Sequence, residues 1–267
     1  MPTTRVAFLG LGRMGAGMAG RLLDQGFPLS VWNRTAASTG PLTASGALAP
    51  GSAAAAVRES DVVLLSLSDA TAVESALLGE SGAATAIPPG AMIINTSTVS
   101  PEDARGLARR LAALGLPYLD VAVLGNPLQA RSGEVRLIAA GSSADVAAAR
   151  PVLDALGKQV VHVGEVGLAA TTKLVFNALL GAQLAGLAEA VSYGVSAGLD
   201  LDGLLSAIAG SGFSSPVLGF RAGLVQRRTY QPAAFRAALM GKDLGLVLAE
   251  AARQSTQPAW TLTTSPS

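Results

Sequence analysis

Through residue 164 the apolar residues fall into short unbroken runs, separated by stretches in which they recur every three or four positions. The runs Val6–Leu9, Pro28–Trp32, Asp61–Leu67, Met92–Asn95, Tyr118–Val121, Glu134–Ala140 and Val160–Val163 have the length and β-branched content of buried strands. Helical spacing follows the first of them through Met14, Met18, Leu22 and Leu23. It returns from the cap Ser68-Asp69 to Leu78, from the cap Ser100 with Pro101 at the first helical position to about Leu114, and from the cap Ser143 to Leu156. The stretch Thr43–Val57 is rich in Ala, Gly and Ser and reads as a loop with a short helix. Such alternation predicts an α/β domain over 1–164, a doubly wound parallel sheet with room for a mixed edge. From Leu168 onward only helical patterns occur, broken by Gly and Pro, so 165–267 is predicted to be an all-α domain. Its first helix is expected to run from Leu168 to about Ser196. Gly181, Ala182, Ala185, Gly186 and Ala190 would let another helix come close. Asn177, Gln183 and Glu189 interrupt the most apolar part, Leu174–Val191, which is therefore read as a buried helix rather than a membrane span.

One turn gives this pattern a chemical meaning. Between the first strand and the first helix lies Gly10-Leu11-Gly12-Arg13-Met14-Gly15, the spacing of a dinucleotide-binding turn in the context that it requires. Gly10 permits the tight turn, Gly12 lets backbone approach a pyrophosphate, and Gly15 lets helix and strand pack closely. The helix N-terminus then offers N–H groups and a positive dipole end to the phosphates. The second strand ends in Asn33-Arg34-Thr35, where an NAD site usually carries an acid for the ribose 2′-hydroxyl. A neutral residue followed by a guanidinium suits a 2′-phosphate instead, so the expected cofactor is NADP. Leu67, Ser68 and Thr98, at the carboxyl ends of the next two strands, are further candidates for cofactor contact.

Composition narrows the chemistry. The 267 residues include no cysteine and one histidine, His162, which excludes thiolate nucleophiles, Cys sites and multi-His sites, so no metal is expected. With 19 basic and 18 acidic residues spread along the chain, the net charge is +1, and no basic block points to nucleic acid or an anionic membrane. The first apolar run is taken up by the nucleotide fold, so no signal peptide is expected, and the cytoplasm is the expected location. Nearly every basic residue is arginine. The three lysines, Lys158, Lys173 and Lys242, therefore stand out, because arginine cannot serve where a proton must move. Lys173 and Asn177 are four apart near the start of the long helix and share a face. A lysine among Ala, Thr, Leu, Val and Phe is desolvated, which lowers its pKa toward the range of acid–base work. The same spacing also suits a snorkelling surface lysine.

Several segments recur in a familiar order. They are Gly10–Gly15 with Met18-Ala19, Trp32-Asn33-Arg34-Thr35, Ser97-Thr98-Val99-Ser100-Pro101 and Leu119-Asp120 with Ala122-Val123. Gly164-Glu165-Val166-Gly167 follows, then Lys173, Asn177 and Gly241-Lys242-Asp243-Leu244. Together they resemble the β-hydroxyacid dehydrogenase superfamily, which contains 3-hydroxyisobutyrate dehydrogenases and semialdehyde and glyoxylate reductases. The resemblance covers almost the whole chain. It implies a Rossmann domain, a helical C-terminal domain joined by a long helix, and an active site between them. It makes Lys173 the general acid/base, Asn177 the substrate-orienting amide, and Lys242 a residue near cofactor and substrate.

The departures point to the substrate. Where the family usually reads Asp-Ala-Pro-Val-Ser-Gly-Gly, this chain has Asp120-Val121-Ala122-Val123-Leu124-Gly125-Asn126-Pro127. Leu124, Gly125 and Asn126 are the expected substrate contacts, with an apolar side chain where a hydroxyl would meet a carboxylate. This segment resembles imine reductases, although those enzymes commonly place Asp or Tyr where Lys173 stands. Phe176 replaces the first of two asparagines. The segment Gln257–Ser267 is polar and reads as poorly helical where relatives usually carry a further helix, so a short or truncated end is expected. The expected activity is NADPH-dependent hydride transfer to or from a small carbonyl or hydroxy compound, by a homodimer. An imine reductase and a non-catalytic NADPH-binding module are the alternatives.

Overall fold

All seven of the short apolar runs before residue 164 become strands of one sheet in the computed structural model, which describes residues 2–231, 233 and 235–256. The expected irregular end, Gln257–Ser267, lies outside the described residues. Strand β1 (Val6–Leu9) leads into α1 (Arg13–Asp24) and β2 (Leu29–Trp32). Short helices α2 (Gly40–Thr43) and α3 (Ala53–Val57) precede β3 (Val62–Leu65), α4 (Ala70–Leu78), β4 (Met92–Asn95) and α5 (Pro101–Ala112). Then come β5 (Tyr118–Leu124), α6 (Pro127–Ser132), β6 (Val135–Ala140), α7 (Ser143–Leu156) and β7 (Gly157–His162). The strand order is β2-β1-β3-β4-β5-β6-β7. All neighbours are parallel except β5 and β6, which pair antiparallel from Asp120↔Ala140 to Leu124↔Arg136 and supply the mixed edge.

The parallel strands are apolar at nearly every position because helices cover both faces. Phe8, Leu64, Ile94 and Leu119 pack on one side with Met18 and Leu22 of α1. Leu9, Leu65 and Ile93 pack on the other with Leu77, Leu107 and Leu111. Caps fall close to where the sequence puts them. Asp69 caps α4, and Ser100 forms a reciprocal box with Asp103 at the start of α5. Ser142, one residue before the expected Ser143, caps α7 by accepting the Asp145 N–H. The strand β5 is longer than expected, and α6 was not anticipated. Its signal is present in the chain, since Asn126-Pro127-x-Gln129 is a capping box with proline at the first helical position.

The chain divides into two compact units, one running to Lys173 and the other from Leu174. The helix α8 (Leu168–Ser196) carries it from one into the other, and α9 (Leu201–Ala209), α10 (Pro216–Gln226) and α11 (Ala237–Arg253) complete the second. Leu187, Leu205 and Ala222 form the centre of that unit, lined by Val191, Ile208, Leu218 and Val225. The small residues of α8 act unequally. A Cβ on Gly181 would come within 2.9 Å of Leu244, so this glycine does admit α11, whereas Gly186 faces open space. The expectation of a buried helix is corrected. Only 17% of the most apolar window of α8 is buried, and Val175, Leu179 and Tyr193 are exposed. By length and composition alone α8 could cross a membrane. Its close packing on α9 and α11, at Gly194 and Gly181, makes it a helix of this helical unit.

Candidate active site

The carboxyl ends of β1, β2, β3 and β4 collect most of the residues expected to meet a cofactor. The chain crosses from β2 on one side of β1 to β3 on the other, which leaves a crevice at this topological switch point. Gly10 has φ +101°, and a Cβ there would strike the Ser66 carbonyl and Leu67. A Cβ on Gly15 would collide with the Gly10 carbonyl oxygen. Around Gly12 there is nothing within 4 Å of the Cβ direction, so the open side of the turn is the side a ligand can occupy. Gly12 is also the N-cap of α1 and gives it no side-chain hydrogen bond, and the first turn holds no acid. A helix start with neither a capping side chain nor an acid suits an anion. These features fit the pyrophosphate of a dinucleotide.

The neighbouring residues have separate tasks. Asn33 accepts the Leu11 N–H at 3.0 Å and donates to the Thr35 carbonyl at 3.0 Å, so it clamps the glycine turn to the end of β2. The Leu11 N–H is therefore already used, and the buried Leu11 side chain backs the turn. Met14 packs into the core beneath it, while Arg13, Arg34 and Thr35 lie exposed at the rim. Leu67 covers Gly10, and its N–H donates to Ser97 Oγ at 2.8 Å, joining the loops after β3 and β4 beside Thr98. Ser68 Oγ donates to Asp69, the cap of α4, at 2.7 Å.

A second group gathers on β5 and the first two turns of α8. Lys173 Nζ donates to the Val123 carbonyl at 2.8 Å, so the ammonium rests at the carboxyl end of a strand. Asp120, buried on the same strand, accepts the Gly167 and Ala170 N–H groups at 3.2 and 2.9 Å. Burial pushes its carboxyl above the ordinary value, and these two N–H groups and Arg105 pull it back. Leu124 and Gly125 follow Val123. The Asn126 side-chain Oδ1 is taken up by the Leu128 and Gln129 N–H groups at 3.0 Å each. Tyr118 is buried, which raises its pKa, and its hydroxyl accepts from Asn95 at 3.1 Å, a structural arrangement. His162 Nε2 lies 2.9 Å from the Gly141 carbonyl and is likewise structural.

In the second unit Asn177 and Asp243 are both buried, and Asn177 Nδ2 donates to Asp243 Oδ2 at 2.9 Å. A carboxylate partner fixes which way the amide points, with Nδ2 toward Asp243 and the oxygen away from it. Lys242 Nζ lies 2.8 Å from Asp243 Oδ1. No role was expected for Asp243; its only signal was its place directly after Lys242.

The fold and this site define a dinucleotide-dependent oxidoreductase built as a Rossmann unit followed by helices. Residues 5–164 match the family described as the NAD binding domain of 6-phosphogluconate dehydrogenase. Residues 167–264 match the NAD-binding domain of NADP-dependent 3-hydroxyisobutyrate dehydrogenase. The chain is 35% identical to a 3-hydroxyisobutyrate dehydrogenase of Pseudomonas aeruginosa, over 96% of its own length and 88% of the relative's. The crystal structure of 3-hydroxyisobutyrate dehydrogenase from Salmonella typhimurium superposes with a TM-score of 0.90 at 30% identity, covering 97% of this chain and 91% of that one. A Streptomyces aurantiacus imine reductase gives a TM-score of 0.71 at 28% identity, covering 96% and 89%. The chain belongs to the β-hydroxyacid dehydrogenase superfamily, a group of NAD(P)-dependent oxidoreductases.

Proposed function

We propose that the protein interconverts a small hydroxy compound and its carbonyl, with NADP as cofactor and Lys173 as general acid/base. The placement of Lys173 Nζ on the Val123 carbonyl carries this reading, because it holds a proton donor at a strand end where α/β ligand sites form. When bound, the cofactor supplies or accepts the hydride. Gly10, Gly12 and Gly15 shape the pyrophosphate cradle with Leu11, Arg13 and Met14 around it, and Thr98 and Lys242 are further contacts. Arg34, beside Asn33 and Thr35, supplies the positive charge that favours a 2′-phosphate. Lys173 gives its proton to the carbonyl oxygen in reduction and takes it back in oxidation. Asn177, its amide set by Asp243, orients the substrate, and Leu124, Gly125 and Asn126 line the substrate's far end. The apolar face of α8 that lies exposed in one chain supports a homodimer, and the charge balance supports a cytoplasmic protein without a nucleic-acid partner.

The test is cofactor turnover with 3-hydroxyisobutyrate, L-serine, glyoxylate and a cyclic imine, supplied with either cofactor. Turnover of the hydroxy or carbonyl compounds, better with NADP(H), is expected. In K173A kcat should fall by about 10²–10⁴. Full turnover in K173A would remove the acid/base assignment. Leu124, apolar where a hydroxyl donor is usual, favours a second reading as an imine reductase, which turnover of the imine alone would establish. Tight NADPH binding with no turnover of any compound would leave a binding module. Sedimentation equilibrium at a monomer mass would remove the dimer.

A further inference from the structure

Asp120 is buried at 3% exposure, and a buried carboxylate is costly unless its oxygens are used. Both are. Oδ1 accepts the Gly167 N–H and Oδ2 the Ala170 N–H, so the strand caps the first turn of α8 from outside the helix. Three residues further along β5 the Val123 carbonyl receives Lys173 Nζ, three residues beyond Ala170 on the helix. The strand and the helical turn thus meet at two places one turn apart. Both are stiff elements, and two points of attachment fix the reach and direction of the lysine. Gly167, at φ +99°, turns the chain so that its N–H faces Asp120, and a Cβ there would come within 2.7 Å of Arg105. A carboxylate presents two acceptor oxygens side by side, whereas asparagine would set an NH₂ group against one of these N–H groups.

We propose that Asp120 is the positioning residue for Lys173: it locks the N-terminus of α8 to β5, so that the ammonium sits at the carboxyl end of the strand without Asp120 touching the substrate. This inference rests on the reading of Lys173 as the general acid/base, and the experiment separates the two. The three lysines make it direct. In full-length protein carrying ¹⁵N-lysine, the side-chain ammonium resonance of Lys173 is assigned by its loss in K173R. In D120N that resonance should move, while that of Lys158, paired with Glu134 at 3.0 Å on the surface, stays in place. kcat should fall about ten- to a hundredfold, as for a slightly misplaced catalytic group, with the affinity for NADPH unchanged. If D120N does not fold, D120S, which keeps one acceptor, is read in the same way. An unmoved Lys173 resonance in a folded variant overturns the proposal, and so does an unchanged kcat. Full turnover in K173A would instead refute the role of Lys173, while the resonance still reports whether Asp120 places it.

Discussion

Two helices of the chain have N-termini that are treated in opposite ways. α1 begins at Gly12 with no capping side chain and no acid in its first turn. α8 begins with the Ala170 N–H of its first turn, and that of Gly167 just before it, closed by the Asp120 carboxylate. Every helix start leaves N–H groups without an internal partner, together with the positive end of a dipole. Left open, these attract an anion from outside. Closed by a carboxylate from within, they become a fixed joint. In the proposed function the open start is the one that takes a cofactor phosphate, and the closed one is the one that places Lys173.

The sharpest way to break this difference is to give α1 a cap of the α8 kind. Gly12 has φ −64° and ψ 178°, extended backbone that any residue adopts, and its Cβ direction is open. G12D should therefore fold normally, with stability equal to the parent or higher by about a few tenths of a kcal/mol from the new cap. Its affinity for NADPH, measured by calorimetry, should fall at least about a hundredfold, because a carboxylate then occupies the phosphate site. Loss of folding together with loss of binding would mean that the open cap is a structural need. A smaller effect is expected at the rim. R34A removes one charged partner of a 2′-phosphate, so KM for NADPH should rise about ten- to a hundredfold while that for NADH stays nearly constant. Equal changes for both cofactors would show that Arg34 does not read the phosphate.

The open start was legible in the sequence, and the closed one only in part. Gly10, Gly12 and Gly15 act locally: strand, turn and helix are contiguous, Gly10 is required by Ser66 and Leu67 after β3, Gly15 by the Gly10 carbonyl, and the space beside Gly12 stays open. Lys173 and Asn177 were also visible, through their spacing on one helix. What the chain order conceals is partnership at a distance. Asp120 and Ala170 are 50 positions apart, as are Lys173 and Val123, and Asn177 and Asp243 are 66 apart. No periodicity links such pairs; only the pairing of β5 in the sheet and the packing within the helical unit bring them together. The exposed face of α8 has a related origin. An apolar helix in the sequence says that its surface is to be covered, not whether the same chain covers it.

The smallest effect serves as a control on the comparison, because it lies where β1 and β3 begin. Arg5, just before β1, donates its N–H to Asp61 Oδ2 at 2.8 Å, and its guanidinium meets Asp61 Oδ1 at 3.2 Å. These bonds tie the starts of β1 and β3 together, far from both helix N-termini. The guanidinium of Arg5, and then its N–H, hold the Asp61 carboxyl below its ordinary value. A lowered carboxyl contributes stability that is present above the unfolded value of about 3.9 and is lost as pH falls through the lower folded value. D61N should therefore melt slightly below the parent at neutral pH. The gap should close as the pH drops below that of an ordinary aspartate. Both Asp61 and Arg5 are about half exposed, so solvent and salt keep the effect small. NADPH affinity and the Lys173 ammonium resonance should be unchanged in D61N. A shift in either would mean that the two helix starts report on the whole sheet rather than on their own caps.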